Sequence, residues 1–584
     1  MRYEMSPQDF VKYIIKVIDS EQSVLFCGAG ISRNSGMPIA NDLISKVWEE
    51  LSFSESENKM FEPVFDQAKL PFEAFIEILR EAHDISTLLK IYENGQPNRN
   101  HRLIAKLMKL GKLQTVCTTN FDQLIEKALK IEKALKNDLN CEVIHKASQM
   151  GNINLKDSKK RVIKIHGSID DQKEMVITLR QVAARMLSDQ RRRVIEEIFS
   201  TGAHSHVLIL GYSCSDVFDI SPAIEAIDNS NKTIIFIQHS KSDQSKAGRI
   251  EYIANKDEKN PFKNFNGQRF FYNTGDLVNA IWEHFIDKSI SFKNSDTGKP
   301  KINERLWEKH VAQWVEEVKG RISKAAIPTI RGWLFGYIGE NETAIGCFER
   351  AVKIARKEHH KQGLATNIGN LGSLFVMQGS EIDRGIKLLK EALERSEAID
   401  DKKGKVRHLT NLANAHAKRK EWRRALEYAS SGMEIAREID YNQMEGALHI
   451  ICGMNLYWLG EKGNGLQHLH EAVNISVDSG DTPGLLNALL SFRVVIEEGD
   501  DLDDVLTEYF QRAFDIAVKF GNDMTREVSR GYIGIICIRQ GDKKKGIEYC
   551  EQSLQFLRPT LGINHAFIRL LEGEALRCRR QDEY

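Results

Sequence analysis

Two short polar motifs in the first half of the chain contain residues that could do chemistry. Thr118, Asn120 and Asp122 lie within five residues of one another, and His166 stands beside Gly167 in a second motif. A histidine titrates near neutral pH, so it can take a proton from a sugar hydroxyl or from water. An asparagine amide both donates and accepts hydrogen bonds, so it can orient such a hydroxyl or water. These residue types suit proton transfer on a ligand that carries hydroxyl groups.

Two further motifs are built around glycine. Gly28-Ala29-Gly30-Ile31-Ser32 comes early in the chain, and Gly211-Tyr212-Ser213 comes later. Glycines allow a tight turn and a close approach of the backbone to a phosphate, and the N-terminus of a following helix favours the negative charge. The first motif is not the G-x-G-x-x-G pattern of dehydrogenases, because its third glycine, Gly36, falls later.

Each motif also has a simple structural interpretation. The glycines suit an ordinary turn between a strand and a helix, and Thr, Asn and Asp are favoured residues at the start of a helix. His166 could be a hydrogen-bonded core histidine. Capping needs only one such polar residue, however, and the 118–122 motif has four.

The elements that must position these motifs are short apolar runs rich in β-branched residues. Five strand candidates meet this description: 24–27, 115–117, 162–165, 207–210 and 233–237. Their apolar residues are continuous rather than alternating, which is typical of strands buried on both faces of a parallel sheet. Helical patterns separate them, so we predict a doubly wound α/β fold of Rossmann type, with segment 40–110 as a helical insertion. Ligands bind at the carboxyl ends of such strands, where each motif falls.

In this order and at these strand ends, the motifs resemble those of the sirtuin superfamily over about residues 10–288. The resemblance implies NAD as the substrate in an extended pocket, with Asn120 and His166 at the reaction centre. Segment 234–239 would lie toward the adenosine end, where Gln238 and His239 are unusual for the family. By motif match, the resemblance assigns NAD binding to eight further residues: Gly28, Ala29, Gly30, Ser32, Thr118, Asp122, Gly211 and Ser213.

Departures from the protein-deacylating sirtuins refine this expectation. Those enzymes have Asp-Phe-Arg soon after the G-x-P motif, whereas this chain has Ile39-Ala40-Asn41, and it has no set of four zinc-binding cysteines. The chain is more similar to bacterial sirtuin-like NAD hydrolases of antiphage defence, which yield nicotinamide and ADP-ribose. An NAD-dependent protein deacylase and a non-catalytic NAD or ADP-ribose sensor remain the alternatives.

The second half of the chain repeats itself. A small or apolar residue recurs at intervals of 40 or 41 residues: Ala344, Gly385, Ala425, Gly465, Leu506 and Gly546. Such a constant period predicts stacked helical hairpins, an all-α solenoid similar to tetratricopeptide repeats. We therefore predict a catalytic domain over 1–288, a polar linker over 289–303 and a repeat domain over 304–584.

Repeats of this kind commonly bind proteins; a scaffold that holds a homo-oligomer together is the other interpretation. The defence resemblance implies a phage protein as the trigger.

Composition limits the remaining partners. Lys+Arg and Asp+Glu both number 82, so no basic excess suggests nucleic acid or a membrane surface. The nine cysteines form no C-x-x-C pair, which argues against a zinc site and against a disulfide framework. No signal pattern opens the chain and no apolar stretch reaches ~20 residues, so we expect a cytoplasmic protein. The Arg191-Arg192-Arg193 run sits in a helical pattern, where we expect a solvated face.

Overall fold

A computed structural model of the chain describes residues 5–582 except 52–58, 60–71, 83, 94, 133–140, 152, 178–188, 215–219, 228–230, 241–246, 255–260, 287–305, 320–323, 480–481, 493–502, 520–522 and 562–564. The chain divides into two compact units, Met1–Glu317 and Val318–Tyr584. The predicted linker 289–303 lies outside the described residues. Helix Leu306–Glu317, which we expected at the beginning of the repeats, is part of the first unit.

An eight-stranded sheet forms the centre of the first unit, with the strand order β3-β4-β2-β1-β5-β6-β8-β7. Every pair of neighbouring strands is parallel except β7 and β8. The strands are β1 (Ser23–Cys27), β2 (Thr115–Thr118), β3 (Cys141–Ile144), β4 (Lys160–Lys164), β5 (His206–Leu210), β6 (Thr233–His239), β7 (Ile250–Tyr252) and β8 (Asn266–Tyr272). All five predicted strands are present, and the structure adds β3, β7 and β8.

Helices cover both faces of this sheet, as a doubly wound fold requires. The helices of the first unit are α1 (Pro7–Asp19), α2 (Ala40–Glu50), α3 (Phe72–Ala82), α4 (Ser86–Leu89), α5 (Arg99–Lys109), α6 (Leu124–Ile131), α7 (Ala147–Met150), α8 (Asp189–Glu196), α9 (Ile220–Glu225), α10 (Thr274–Phe285) and α11 (Leu306–Glu317). Leu25 and Cys27 enter the core on one face, and Val24 and Phe26 enter the core on the other. This alternation explains why both positions of each strand must be apolar.

The predicted helical insertion is also present, because α2 to α5 occupy much of 40–110. Helix α11 packs against α2 and α4, and the indole Nε1 of Trp314 donates to the backbone oxygen of Asp84 at 2.9 Å.

The prediction that residues 191–193 form a solvated face is wrong for Arg191. Arg191, on α8, has a fully buried side chain that donates to the backbone oxygen of Glu174 at 3.1 Å. The sequence shows the run of charge but not which side of the helix meets the sheet.

The second unit consists of consecutive helices: α12 (Ala326–Tyr337), α13 (Asn341–Lys357), α14 (Lys361–Gln378), α15 (Ile382–Glu397), α16 (Lys402–Lys418), α17 (Trp422–Glu438), α18 (Asn442–Trp458), α19 (Lys462–Asp478), α20 (Thr482–Ser491), α21 (Asp503–Lys519), α22 (Asp523–Arg539), α23 (Lys543–Leu561) and α24 (Ala566–Asp582). The three glycines of the predicted period, Gly385, Gly465 and Gly546, lie where paired helices touch. A Cβ on Gly465 would lie 2.7 Å from the backbone oxygen of Gly453, and a Cβ on Gly546 would lie 2.7 Å from that of Gly534. Within the described residues, no helix has the length and apolar character needed to cross a membrane.

Candidate active site

A cleft of about 660 Å³ lies at the carboxyl ends of the strands in the first unit. Eight of the ten predicted site residues line it: Ala29, Gly30, Ser32, Asn120, Asp122, His166, Gly211 and Ser213. The other two support the lining. Thr118 is buried and its Oγ1 accepts the backbone N–H of Asn120 at 3.1 Å, while Gly28 packs against Gly211.

Three glycines bring two loops of the cleft into backbone contact. Gly211 has φ +67°, and a Cβ there would lie 2.6 Å from the backbone nitrogen of Ile31. A Cβ on Gly30 would lie 2.8 Å from the backbone oxygen of Gly211. The N–H groups of Gly28 and Gly30 donate to the backbone oxygens of Leu210 and Gly211, so these two donors are used within the protein. All three glycines allow close packing of the two loops, and the N–H groups of Gly28 and Gly30 are not available to a phosphate.

A hydrogen-bond network centred on Ser32 holds the side chain of Asn120. The Oγ of Ser32 lies 2.8 Å from Oδ2 of Asp122, 3.0 Å from Nδ2 of Asn120 and 3.1 Å from Nε2 of His101. All four side chains are at least nine-tenths buried. The motifs that were separate in the sequence therefore meet at one hydroxyl group.

The groups at the two ends of this network, the backbone N–H of Asn98 and the Asp122 carboxylate, determine the direction of each hydrogen bond. The backbone N–H of Asn98 donates to Nδ1 of His101 at 3.2 Å, so the ring proton of neutral His101 is on Nε2 and is donated to Ser32. Ser32 in turn donates its only proton to the Asp122 carboxylate. Its remaining lone pair needs a donor, which fixes the amide of Asn120 with Nδ2 toward Ser32.

This orientation leaves Oδ1 of Asn120 as an acceptor. Oδ1 is buried and has no hydrogen-bond partner among the described residues. A buried polar atom without a partner is costly, and in a cleft it indicates where a ligand hydroxyl or a water would donate. The lining therefore fits a ligand that carries hydroxyl groups next to Asn120.

Burial keeps His101 neutral. Loss of solvation lowers its pKa to about 4, although the nearby Asp122 carboxylate opposes this shift. Sequence reasoning missed His101 because it lies on α5, away from the strand ends. The available signal was the polar cluster Asn98, Asn100 and His101: Asn98 caps α5, and the side-chain amides of Asn98 and Asn100 both donate to the backbone oxygen of Ile31.

His166 lies in the cleft lining behind the aromatic ring of Phe121. The two ring centroids are 6.0 Å apart and the ring planes are inclined by 28°. The backbone oxygen of His166 accepts the N–H of Val176 at 2.8 Å, so the segment after the histidine packs back over it. Gly167 has φ +90°, and a Cβ there would lie 2.6 Å from the backbone oxygen of Glu174, which explains the glycine after the histidine.

The remaining lining comes from parts of the chain that the motifs did not include. Phe72 and Glu73 of the helical insertion contribute at one side, together with Tyr92. Gln238 and His239 line the cleft at the end of β6, where we expected the adenosine end. Arg269 of β8 joins them, with its guanidinium 5.2 Å from the centroid of the Phe236 ring.

Within the part of the chain that the structure describes, no group of three or more His, Cys, Asp or Glu side chains could hold a metal ion.

Comparison with known protein families finds two matches in the part of the chain that forms the cleft. Residues 28–136 match the model of the Sir2 family, and residues 114–258 match that of the SIR2-like domain. The first unit therefore contains a sirtuin-type domain, followed in the chain by a long all-helical region.

Individual relatives fall into two groups. An NAD-dependent protein deacetylase of Clostridium perfringens is 36% identical over 121 residues, which are 20% of this chain and 44% of that protein. The NAD(+) hydrolase ThsA of Cytobacillus dafuensis is 26% identical over 214 residues, 35% of this chain and 38% of that protein. ThsA of Bacillus cereus is 21% identical over 356 residues, 56% of this chain and 67% of that protein. The chain thus spans less than half the length of the first two relatives.

Proposed function

We propose that the first unit cleaves the bond between nicotinamide and ribose in NAD and transfers the ADP-ribosyl group to water. The observation that carries the proposal is the meeting of the fixed Asn120 amide and His166 in one cleft of a sirtuin-type domain. Two relatives named NAD(+) hydrolase support water as the acceptor.

The reaction needs few catalytic groups from the protein. The C–N bond breaks with its electrons going to the ring nitrogen, so nicotinamide leaves as a neutral molecule and needs no acid. The ribose passes through an oxocarbenium-like state, as in glycoside hydrolysis. Oδ1 of Asn120 accepts a hydrogen bond from a ribose hydroxyl or from the attacking water. His166 takes a proton from that hydroxyl or water. Ser32, Asp122 and His101 keep the amide in place, and the loops at Gly28–Ser32 and Gly211–Ser213 face the diphosphate.

The test is release of nicotinamide from NAD by the purified full chain, alone and with lysate from infected cells. Asn120→Ala and His166→Ala should each lower kcat by about 10²–10⁴-fold, the usual contribution of a positioned acid–base group. His284→Ala is a suitable control, because His284 is exposed on α10 and away from the cleft lining. Full activity in either cleft variant would contradict the assignment.

We further propose that the protein is a regulated, cytoplasmic effector of antiphage defence, in which the helical repeats bind a protein trigger or hold a homo-oligomer together. Uncontrolled NAD cleavage would kill the host cell, so a resting state with low activity is expected. The full chain should cleave NAD faster with lysate from infected cells than with lysate from uninfected cells. Equal rates, both fast, would contradict regulation.

A protein deacylase is the second candidate, favoured by the relatives named NAD-dependent protein deacetylase. The product separates the two functions. Formation of O-acetyl-ADP-ribose from an acetylated peptide would establish the deacylase, whereas ADP-ribose without a peptide would establish the hydrolase. A tight complex with intact NAD and no nicotinamide release would instead indicate a sensor.

A further inference from the structure

A buried lysine joins the two loops that carry Asn120 and His166. Lys164 is the last residue of β4 and its side chain is fully buried. Its Nζ donates to the backbone oxygens of Phe121 and Asp122 at 3.3 and 2.5 Å. It also contacts Oε1 of Glu126 at 3.0 Å and Oγ of Ser168 at 2.8 Å.

These four partners belong to both sides of the reaction centre. Phe121, Asp122 and Glu126 lie on the loop after β2 and on α6, directly after Asn120. Ser168 lies on the loop after β4, two residues beyond His166. The N–H of Ile169 also donates to the backbone oxygen of Phe121 at 3.0 Å, which links the same two loops through the backbone. An ammonium group is a compact donor that can satisfy several converging acceptors, which no neutral side chain of that length can do.

The positive charge of Lys164 is balanced by a carboxylate within the same contact. The Glu126 carboxylate is the only anionic side chain among the four partners, and it is also buried. A buried ion pair is weak evidence for stability, because an apolar pair of similar size is often as stable. Here the two backbone oxygens add a constraint that an apolar pair would not reproduce: they hold the 121–122 turn against strand β4.

We propose that Lys164 is a positioning residue that sets the location of the Asn120 amide relative to His166. The proposal rests on the proposed NAD cleavage. Lys164 is not among the residues that line the cleft, so it acts through the two loops and does not touch the substrate.

The test compares Lys164→Met, and the double variant Lys164→Met/Glu126→Gln, with a matched control. Lys232 is the control because it too is a buried lysine that donates to two backbone oxygens, those of Gly202 and His204, away from the cleft. The double variant removes both charges and so avoids an unpaired buried carboxylate. It should lower kcat by about 10²-fold, the effect of a misplacement of about 1 Å, while KM for NAD changes less than about threefold. Lys232→Met should lower Tm without changing kcat of the folded protein.

A folded double variant with kcat within about threefold of the parent would overturn the proposal. If the lysine variants do not fold, Ser168→Ala tests the proposal instead. This variant removes only one of the four contacts, so we expect it to fold. A kcat loss at constant KM supports the proposal, and unchanged kcat overturns it.

Hydrogen exchange separates this proposal from the proposed function. If the parent protein cleaves no NAD even with lysate from infected cells, the proposed function fails. Exchange of the amides in 118–122 and 166–169 should still be faster in Lys164→Met or, failing that, Ser168→Ala than in the parent. Exchange in 24–31 should not change. Unchanged exchange in 118–122 and 166–169 would overturn the positioning role.

Discussion

Replacement of Gly211 by alanine is the sharpest test of the contact between the two glycine loops. The added Cβ would lie 2.6 Å from the backbone nitrogen of Ile31 and 3.0 Å from the backbone carbon of Gly30. Ordinary contacts begin near 3.4 Å, so one loop must move by several tenths of an ångström. The positive φ adds about 1–2 kcal/mol for a residue with a Cβ, and overpacking adds about 1–3 kcal/mol. We expect the free energy of unfolding of the first unit to fall by about 2–5 kcal/mol.

Gly111 provides a matched control in the same unit. It has φ +77°, and a Cβ there would have no neighbour within 4 Å. The free energy of unfolding of Gly111→Ala should therefore fall only by the cost of the positive φ, about 1–2 kcal/mol. Urea unfolding of both variants measures this difference. Under the proposed function, Gly211→Ala should also weaken ADP-ribose binding by at least about tenfold, because a shift of this size misplaces the loops that face the diphosphate.

Two results would refute this reasoning. Equal losses of unfolding free energy in the two variants would mean that the close approach at Gly211 costs nothing. A destabilised Gly211→Ala variant that still binds ADP-ribose with parental affinity would mean that the loops do not form the binding surface. Isothermal titration at a temperature where both variants are folded distinguishes the second result from simple unfolding.

Three further predictions concern the buried side chains around the cleft. Ser32→Ala removes the hydroxyl that satisfies Asn120, Asp122 and His101, so we expect a loss of about 1–3 kcal/mol in urea unfolding and a fall in kcat; parental values of both would contradict the network. The pKa of His101 is lowered to about 4, so the unfolded chain binds the extra proton and the stability due to neutral His101 is lost as pH falls from 6.5 toward 4. At pH 5 this amounts to about 2 kcal/mol relative to pH 8, a difference that should shrink in His101→Gln. Burial raises the pKa of the Cys27 thiol to about 12, so a maleimide should label it at pH 8 only after denaturation, and rapid labelling of native protein at this residue would contradict its burial.

The strands that were predictable are those buried on both faces. β1, β2, β4, β5 and β6 each have consecutive apolar residues at their centre, because these side chains enter the core on alternate faces of the sheet. β3 escaped prediction because it lies at the edge of the sheet, where its side chains are mostly half-buried and include Glu142. β7 is a short strand at the other edge, and β8 contains Gln268 and Arg269, so neither shows a continuous apolar pattern.

The candidate site was predictable to the extent that its residues follow strands. Local sequence determines which residues follow a strand, and the rule that parallel strands end at one edge then brings Asn120, His166 and Gly211 into one cleft. The 40- or 41-residue period likewise determined the helical hairpins of the second half, because each interval is one structural unit.

Only the tertiary structure decided what surrounds these residues. His101 reaches Ser32 because α5 packs on the sheet, and no local pattern encodes which of its side chains will meet a loop that is 69 residues away in sequence. The same holds for Lys164, which stood in the sequence as an ordinary charged residue before the histidine motif. Its complete burial and its four polar contacts exist only where two loops, the sheet and α6 come together. Local propensity acts over a few residues, whereas the orientation of Asn120 depends on hydrogen bonds that close only in the folded chain.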